Sequence, residues 1–444
     1  MDLKQYPRPA GDTGIGFHYD PDGGGLERQD LARWLPRLRT MGTSWLVLRP
    51  SLDEPVPEGF VRGLIDAGIE PVVLLDAGGV RPVEGPQLEY ALRGYALAGL
   101  HYVSIYPEPN VASHWPATEW LQPGLVRRFA DLLLPFLERA VDLGLFPLLS
   151  PLKPGGHYWD TAFLVGLVEE ILRRGRLVLF DRMGVAIENV AYNRPLEWGR
   201  GGPERWPQAG PYRTAEGFED HQGFRLFEWY EQLLYPLVGG PLPLIAVASG
   251  PLLGSVEDVR FAPVDEALHA ERSLEMVRLL RTGELGEALF NQAFWTLTSE
   301  EDASAWVRSD GSLLTAAALL SETPKQPRVK RDGARGGWAR GPTRRPLHHY
   351  LLFPPTGVVG SHGYWEAAKP FIERFGPCCG FRPEEAQEAA HVTLVGDETE
   401  IGREVERYLR AAGCRVERVA GASPAETRRL LKRLAREGTR YVEG

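Results

Sequence analysis

The stretch His101-Tyr-Val-Ser-Ile-Tyr-Pro-Glu-Pro-Asn110 decides how the rest of the chain is read. Tyr102 to Tyr106 is a run of mostly β-forming side chains. It stops at Pro107, and Pro109 follows two residues later. Proline cannot donate to a sheet ladder, so a strand must end there. Glu108 is left at the carboxyl end of a buried strand, the place where α/β barrels keep catalytic groups.

Outward from this strand, short apolar runs alternate with helical spacing. Strands are expected at 14–20, 44–50, 70–76, 102–106, 146–150, 184–189, 242–250 and 288–298. Helices are expected at 26–41, 60–67, 87–97, 125–143, 161–174, 224–237 and 264–281, with a short one at 313–320. In the first of these, Leu31, Trp34, Leu35 and Leu38 fall on one face, and Gly68 closes the second. Eight strand–helix units in succession predict an α/β fold, a (β/α)8 TIM barrel over residues 1–320. A doubly wound open sheet is the rival. Gly23, Gly24 and Gly25 follow the first strand without the G-x-G-x-x-G pattern such a sheet would carry, so they read as a loop.

Residues 321–347 are rich in Lys, Arg, Pro and Gly and read as a basic linker, either solvated or touching an anionic surface. Residues 348–444 read as a small α/β domain, with strands at 392–396 and 415–419 and helices at 400–412 and 424–436.

Composition narrows the function. The net charge of -9 over 444 residues argues against nucleic acid or an anionic membrane as the main partner. Cys378, Cys379 and Cys414 form neither a disulfide framework nor a CxxC metal spacing. His348-His349 stand apart from other ligands, so no metal and no cofactor is expected. No run of about 18 apolar residues predicts a membrane span, and residues 1–8 lack the apolar core of a signal peptide.

The barrel resembles the clan-A retaining glycoside hydrolases. The resemblance rests on Tyr106-Pro-Glu-Pro-Asn110, where the family's fourth strand ends in Asn-Glu-Pro with the Glu as acid/base. Glu108 and Pro109 match, and Pro107 replaces the family's Asn. Arg49 ends strand two, Glu188-Asn-Val-Ala-Tyr192 ends strand six and Trp295 ends strand eight, where the family has an Arg, a His followed by Tyr, and a Trp under the sugar. The family's nucleophile would end strand seven. There Ile245-Ala-Val-Ala-Ser-Gly250 puts Ala248, or Ser249 in a register shifted by one, and neither is a carboxylate. The C-terminal unit, from Val392-Thr-Leu-Val-Gly-Asp to Glu426-Thr427, resembles one cell-wall-binding repeat type 2. That resemblance implies the cell envelope or exterior, whereas the missing signal segment implies the cytoplasm.

Two readings stay open at each candidate residue. Glu108 is an acid/base or a loop ion-pair partner. Glu188 is the second carboxylate of an inverting pair or a structural partner of Arg49. His18 and Asp76, ending strands one and three, bind sugar or serve structure; Arg49, Asn110, Tyr192 and Trp295 complete the set expected to touch substrate. Trp115, Trp120, Trp159, Trp198, Trp206 and Tyr212 fall in loops of the same barrel end and suit a glycan cleft, while Trp229, Tyr230 and Tyr235 read as core. The expected partner is an oligosaccharide or polysaccharide. The protein is expected to cleave O-glycosidic bonds through Glu108, or to be a catalytically inactive carbohydrate-binding barrel of the envelope.

Overall fold

The computed structural model describes residues 2–20, 25–210, 214, 217–329, 347–355 and 361–441. Tyr212, Gly23, Gly24 and residues 330–346 of the expected linker lie outside them. The described residues form two compact units. The first is drawn from 1–160, 167–200 and 222–339, the second from 161–166, 201–221 and 340–444.

The first unit is a closed barrel of eight parallel strands in sequence order. These are β1 (Ile15–Tyr19), β2 (Trp45–Leu48), β3 (Glu70–Leu75), β4 (Tyr102–Ile105), β5 (Phe146–Leu149), β6 (Gly184–Val190), β7 (Leu244–Gly250) and β8 (Leu289–Phe294). All eight expected strands are present, seven with trimmed ends and β6 one residue longer than expected. The largest trim is at β8, because the segment after Phe294 leaves the ladder. Trp45, Val47, Val72, Leu74, Leu148 and Val247 belong to one buried cluster inside the barrel. Side chains alternate along a strand. The alternation that turns Trp45 and Val47 inward therefore carries Arg49 to the same side, just past the end of β2. It does the same for Asp76 after Leu74 and for Glu188 after Ala186.

The amino end of the barrel is plugged. Tyr6 packs in the interior cluster and donates its hydroxyl to the carbonyls of Phe180 and Met183, both at 3.1 Å. Arg328, in the stretch expected to be linker, is buried and donates to the carbonyls of Leu289 and Phe290 at 2.8 and 2.9 Å. A guanidinium can close several carbonyls at once, so this part of the basic segment is built into the fold.

Strand β7 carries a bulge. Ile187 of β6 pairs with Ala246, but Glu188 pairs with Ala248, so Val247 is one residue too many. Asn291 bridges the irregularity, accepting from the Ala246 amide and donating to the Ala246 carbonyl, both at 2.9 Å.

The second unit contains a four-stranded parallel sheet. Its strands are β9 (Leu347–Leu352), β10 (Cys378–Gly380), β11 (Ala389–Val395) and β12 (Arg415–Val419), in the order β10-β9-β11-β12. Helices Ser361–Phe375 and Pro424–Glu437 belong to the same unit, and Leu351, Phe371, Val395 and Leu431 share its core. The sequence reading reached β11, β12, the helix Arg403–Ala411 and the last helix. It missed β9, where two histidines break the apolar run, the three-residue β10, and helix Ser361–Phe375, where Gly363 and Pro370 interrupt the pattern. Among the described residues no helix is long and apolar enough to cross a membrane.

Candidate active site

Among the described residues, three non-glycine residues adopt positive φ: Tyr106 at 58°, Glu108 at 51° and Tyr192 at 49°. A left-handed L-residue costs roughly 1–2 kcal/mol, and such residues persist where the surroundings over-determine them. All three lie at the ends of β4 and β6. The Glu108 amide donates to the Pro151 carbonyl at 2.8 Å, and its own carbonyl accepts from the Val111 amide at 3.0 Å. The Pro-Glu-Pro turn is thus tied to the end of β5.

Asn110 finishes that tie. It is fully buried. Its amide nitrogen donates to the carbonyls of Lys153 and Tyr158 at 2.8 and 3.0 Å, and its oxygen accepts from the Lys153 amide at 2.9 Å. Its side chain is committed to holding the β5 loop and so does not face the cleft.

The loop it holds carries Lys153, which the sequence reading did not single out. The Lys153 ammonium lies 3.6 Å from a Glu108 oxygen and 4.0 Å from a Glu188 oxygen. Burial works against its charge, but Tyr192, Glu188 and Glu108 outweigh burial and raise the lysine above its ordinary range. Glu188 is therefore not paired with Arg49, whose partner is Asp76 at 3.1 Å.

Glu188 and Glu108 are brought together. The Glu188 side chain is 13% exposed and that of Glu108 23%. Burial, the neighbouring Glu108 charge and a hydrogen bond to the Glu108 carboxyl push Glu188 up to about 8, against the opposing fields of Lys153 and Arg49. Two carboxyls in one desolvated site resist double ionisation and hold a proton between them. Glu108 also meets His114, whose Nε2 is 3.7 Å from its other oxygen. Nδ1 of His114 donates to the carbonyls of Pro107 and Glu108 at 3.1 and 3.2 Å.

On the opposite wall, His18 is buried and its ring lies 4.4 Å from that of Trp295. Its Nδ1 is 3.0 Å from the Val247 carbonyl, which can only accept, so Nδ1 carries the proton. The extra residue of the bulge thus finds its partner in His18. Burial lowers the ring's pKa to about 4 and keeps it neutral. No donor among the described residues reaches its buried Nε2. Trp295 is half-buried and donates Nε1 to Asp302 at 2.6 Å.

Several loop aromatics are packed. Trp115 is buried and donates to the Pro109 carbonyl at 2.6 Å, and Trp120 packs against it. Trp159 and Trp198 are also buried. Trp206, in the second unit, packs edge-on against Phe218. Trp229 and Tyr230 are core, as expected, and Tyr235 is half-buried. Tyr192 and Trp295 retain partial exposure. Among the described residues no group of three or more His, Cys, Asp or Glu is placed to hold a metal.

No known family matches the sequence, and no curated protein matches it. Solved structures similar to the chain include a monomeric beta-xylosidase from Caulobacter crescentus CB15, 10% identical, covering 72% of this chain and 69% of that one at a TM-score of 0.43. A GH39 enzyme from Xanthomonas axonopodis pv. citri is 11% identical, with 72% and 67% covered and a TM-score of 0.44. A GH128 (subgroup II) endo-beta-1,3-glucanase from Sorangium cellulosum is 13% identical, with 72% and 99% covered and a TM-score of 0.39.

Proposed function

We propose that the barrel binds a glycan at its carboxyl end and cleaves an O-glycosidic bond with Glu188 and Glu108. The observation that supports this reading most is the carboxyl pair itself: Glu108 and Glu188 converge on one ammonium, Lys153, at 3.6 and 4.0 Å. Glycoside hydrolysis needs one protonated and one ionised carboxyl flanking the scissile bond. In this reading Glu188 is the acid that protonates the leaving oxygen, and Glu108 is the ionised partner. That reverses the order in which the sequence alone suggested Glu108 as the acid. With oxygens of both carboxyls within 4.0 Å of the one Lys153 ammonium, the pair suits the close spacing of a retaining site, about 5–5.5 Å, better than the inverting one of about 6.5–9.5 Å. Glu108 then attacks the anomeric carbon as the bond to the leaving oxygen breaks. Water, deprotonated by Glu188, releases the sugar and restores both carboxyls. Trp295, partly exposed just past β8, and Tyr192, partly exposed near Glu188, would face the sugar, with His18 positioning Trp295 and Asn110 the Lys153 loop.

A second reading, binding without turnover, is favoured by Lys153, which neutralises the carboxylate that would have to attack. One experiment separates the two. Purified protein is titrated against an oligosaccharide panel and assayed for hydrolysis, alongside Glu188→Gln and Trp295→Ala. Hydrolysis lost in Glu188→Gln, with binding weakened in Trp295→Ala, is the expected result. Binding with no hydrolysis in the unaltered protein would establish the second reading, and no binding at millimolar sugar would end both. The C-terminal unit, by its sequence resemblance, would hold the chain at the cell envelope. Co-sedimentation of the full chain with insoluble cell-wall material tests that.

A further inference from the structure

A groove lies beside the carboxyl pair, with His114 and Pro107 in its wall. It encloses about 440 Å³ and is walled by Arg49, Asp76, Arg81, His114 and Trp115 together with the glycines at 78 and 79. That volume falls within the range of about 300–1,000 Å³ usual for small-molecule sites. Two loops build it, and they are fastened to each other. The Val80 amide donates to the His114 carbonyl at 2.7 Å. A side chain at Gly79 would meet that same carbonyl at 2.8 Å, so glycine lets the loops approach. His114 joins the groove to the catalytic pair, since its Nε2 is 3.7 Å from Glu108.

The charges in this groove are unbalanced. Two guanidiniums, Arg49 and Arg81, face one carboxylate, Asp76, in a protein whose net charge is -9. Asp76 engages Arg49 through a single nitrogen at 3.1 Å, and its other oxygen accepts from the Gly78 amide at 2.8 Å. Arg81 uses only Nε, which donates to the Ala77 carbonyl at 3.1 Å. Its Nη2 lies across Gly78, 2.9 Å from where a Cβ would stand, so a side chain there would displace it. Among the described residues its two terminal nitrogens meet no hydrogen-bond acceptor. A guanidinium with an open fork is a ready partner for a planar or tetrahedral oxyanion.

We infer that this groove is a subsite for an anionic substituent of the glycan, a carboxylate or a sulfate, held by Arg81 and Arg49 one sugar away from the Glu108–Glu188 pair. The inference rests on the glycan reading above and names the substrate class: acidic oligosaccharides. A neutral sugar would leave the guanidiniums facing water. An acidic one replaces that water with charge-assisted hydrogen bonds.

Calorimetric titration of the full chain tests it with five probes. These are an oligosaccharide bearing one uronic acid, its carboxyl-reduced neutral counterpart, a sulfated counterpart, free glucuronate and inorganic sulfate. The acidic oligosaccharide should bind about ten-fold more tightly than the neutral one. Arg81→Met should bring that ratio close to one, and Asp76→Asn, which removes the groove's carboxylate, should enlarge it. The uronic and sulfated probes decide between the two oxyanions. Equal affinity for acidic and neutral oligosaccharides, or a ratio untouched by Arg81→Met, overturns the subsite and leaves the glycan reading standing. Binding of free glucuronate or sulfate that Arg81→Met removes, with no oligosaccharide bound, keeps the anion site and overturns the glycan reading. No binding of any probe overturns both.

Discussion

Glu188 of β6 stands in register with Ala248 of β7, immediately after a bulge at Val247. Ala248 is where the resemblance to retaining glycosidases places a nucleophile. It is 9% exposed, while Ile245, Ala246 and Val247 are at 1% or less. The carboxylate missing from β7 thus has a counterpart one strand over. The small side chain at 248 leaves room beside it.

This relationship makes Ala248→Glu a discriminating variant. If β7 had lost an essential carboxylate, restoring one should create or raise activity. With Glu108 and Glu188 already filling both carboxyl roles, a third carboxyl adds like charge to a desolvated site and raises the cost of ionising any of the three. Hydrolysis in Ala248→Glu should fall at least ten-fold. A gain of activity would show that the site is a degenerate one waiting for its nucleophile.

The raised pKa of Glu188 has a consequence for stability. Its folded-state value of about 8 lies above the ordinary 4.5. The folded protein therefore keeps a proton that the unfolded chain releases. The contribution is fully present below about pH 4.5 and is lost as pH rises through about 8. Glu188→Gln cannot ionise and escapes this loss. At pH 9 the variant should be the more stable by on the order of 3 kcal/mol, and the gap should shrink steadily toward pH 5. Denaturant melts at four or five pH values read this directly. A gap independent of pH would remove the buried acid from the account.

Lys153 sits where it can set the proton's affinity. Its field lowers Glu188. Lys153→Met should shift the alkaline limb of the rate profile upward by about one pH unit, and lower the maximal rate by leaving the two carboxyls without their cation. An unmoved alkaline limb would mean that the ammonium does not reach the pair in solution.

Asn110 offers a test of positioning. Asn110→Ala removes three buried hydrogen bonds between the β4 turn and the Lys153 loop. The cost should be about 2–4 kcal/mol of stability. A purely structural role would stop there. If Asn110 also places Lys153, the alkaline limb should move in the same direction as in Lys153→Met, and a stability loss with an unshifted profile would confine Asn110 to scaffolding.

How much of this could be read from the chain depends on which contacts are local. The Pro107-Glu-Pro turn was legible because proline terminates a strand by its own covalent structure, and the alternation of 184–190 already turned Glu188 inward. The eight strands were legible because each is a nearly continuous apolar run between helical stretches. Lys153 was not legible, since its role arises only when Asn110, more than 40 positions away, fixes the β5 loop. A signal was present, however. Ser150-Pro-Leu-Lys-Pro154 repeats at the end of β5 the pattern of a charged residue beside proline that marks Glu108 at the end of β4. The bulge at Val247 left no mark in the apolar run. Its partner, the His18 imidazole, lies six strands away in sequence and beside it only once the barrel closes.

Side-chain carboxyl carbon NMR with labelled glutamate asks whether the proton of the pair resides on Glu188 at neutral pH. One glutamate resonance should titrate near pH 8 and vanish in Glu188→Gln, while a spectrum in which every glutamate titrates in the ordinary carboxyl range, or in which the high-pKa resonance survives that substitution, would contradict that placement of the proton.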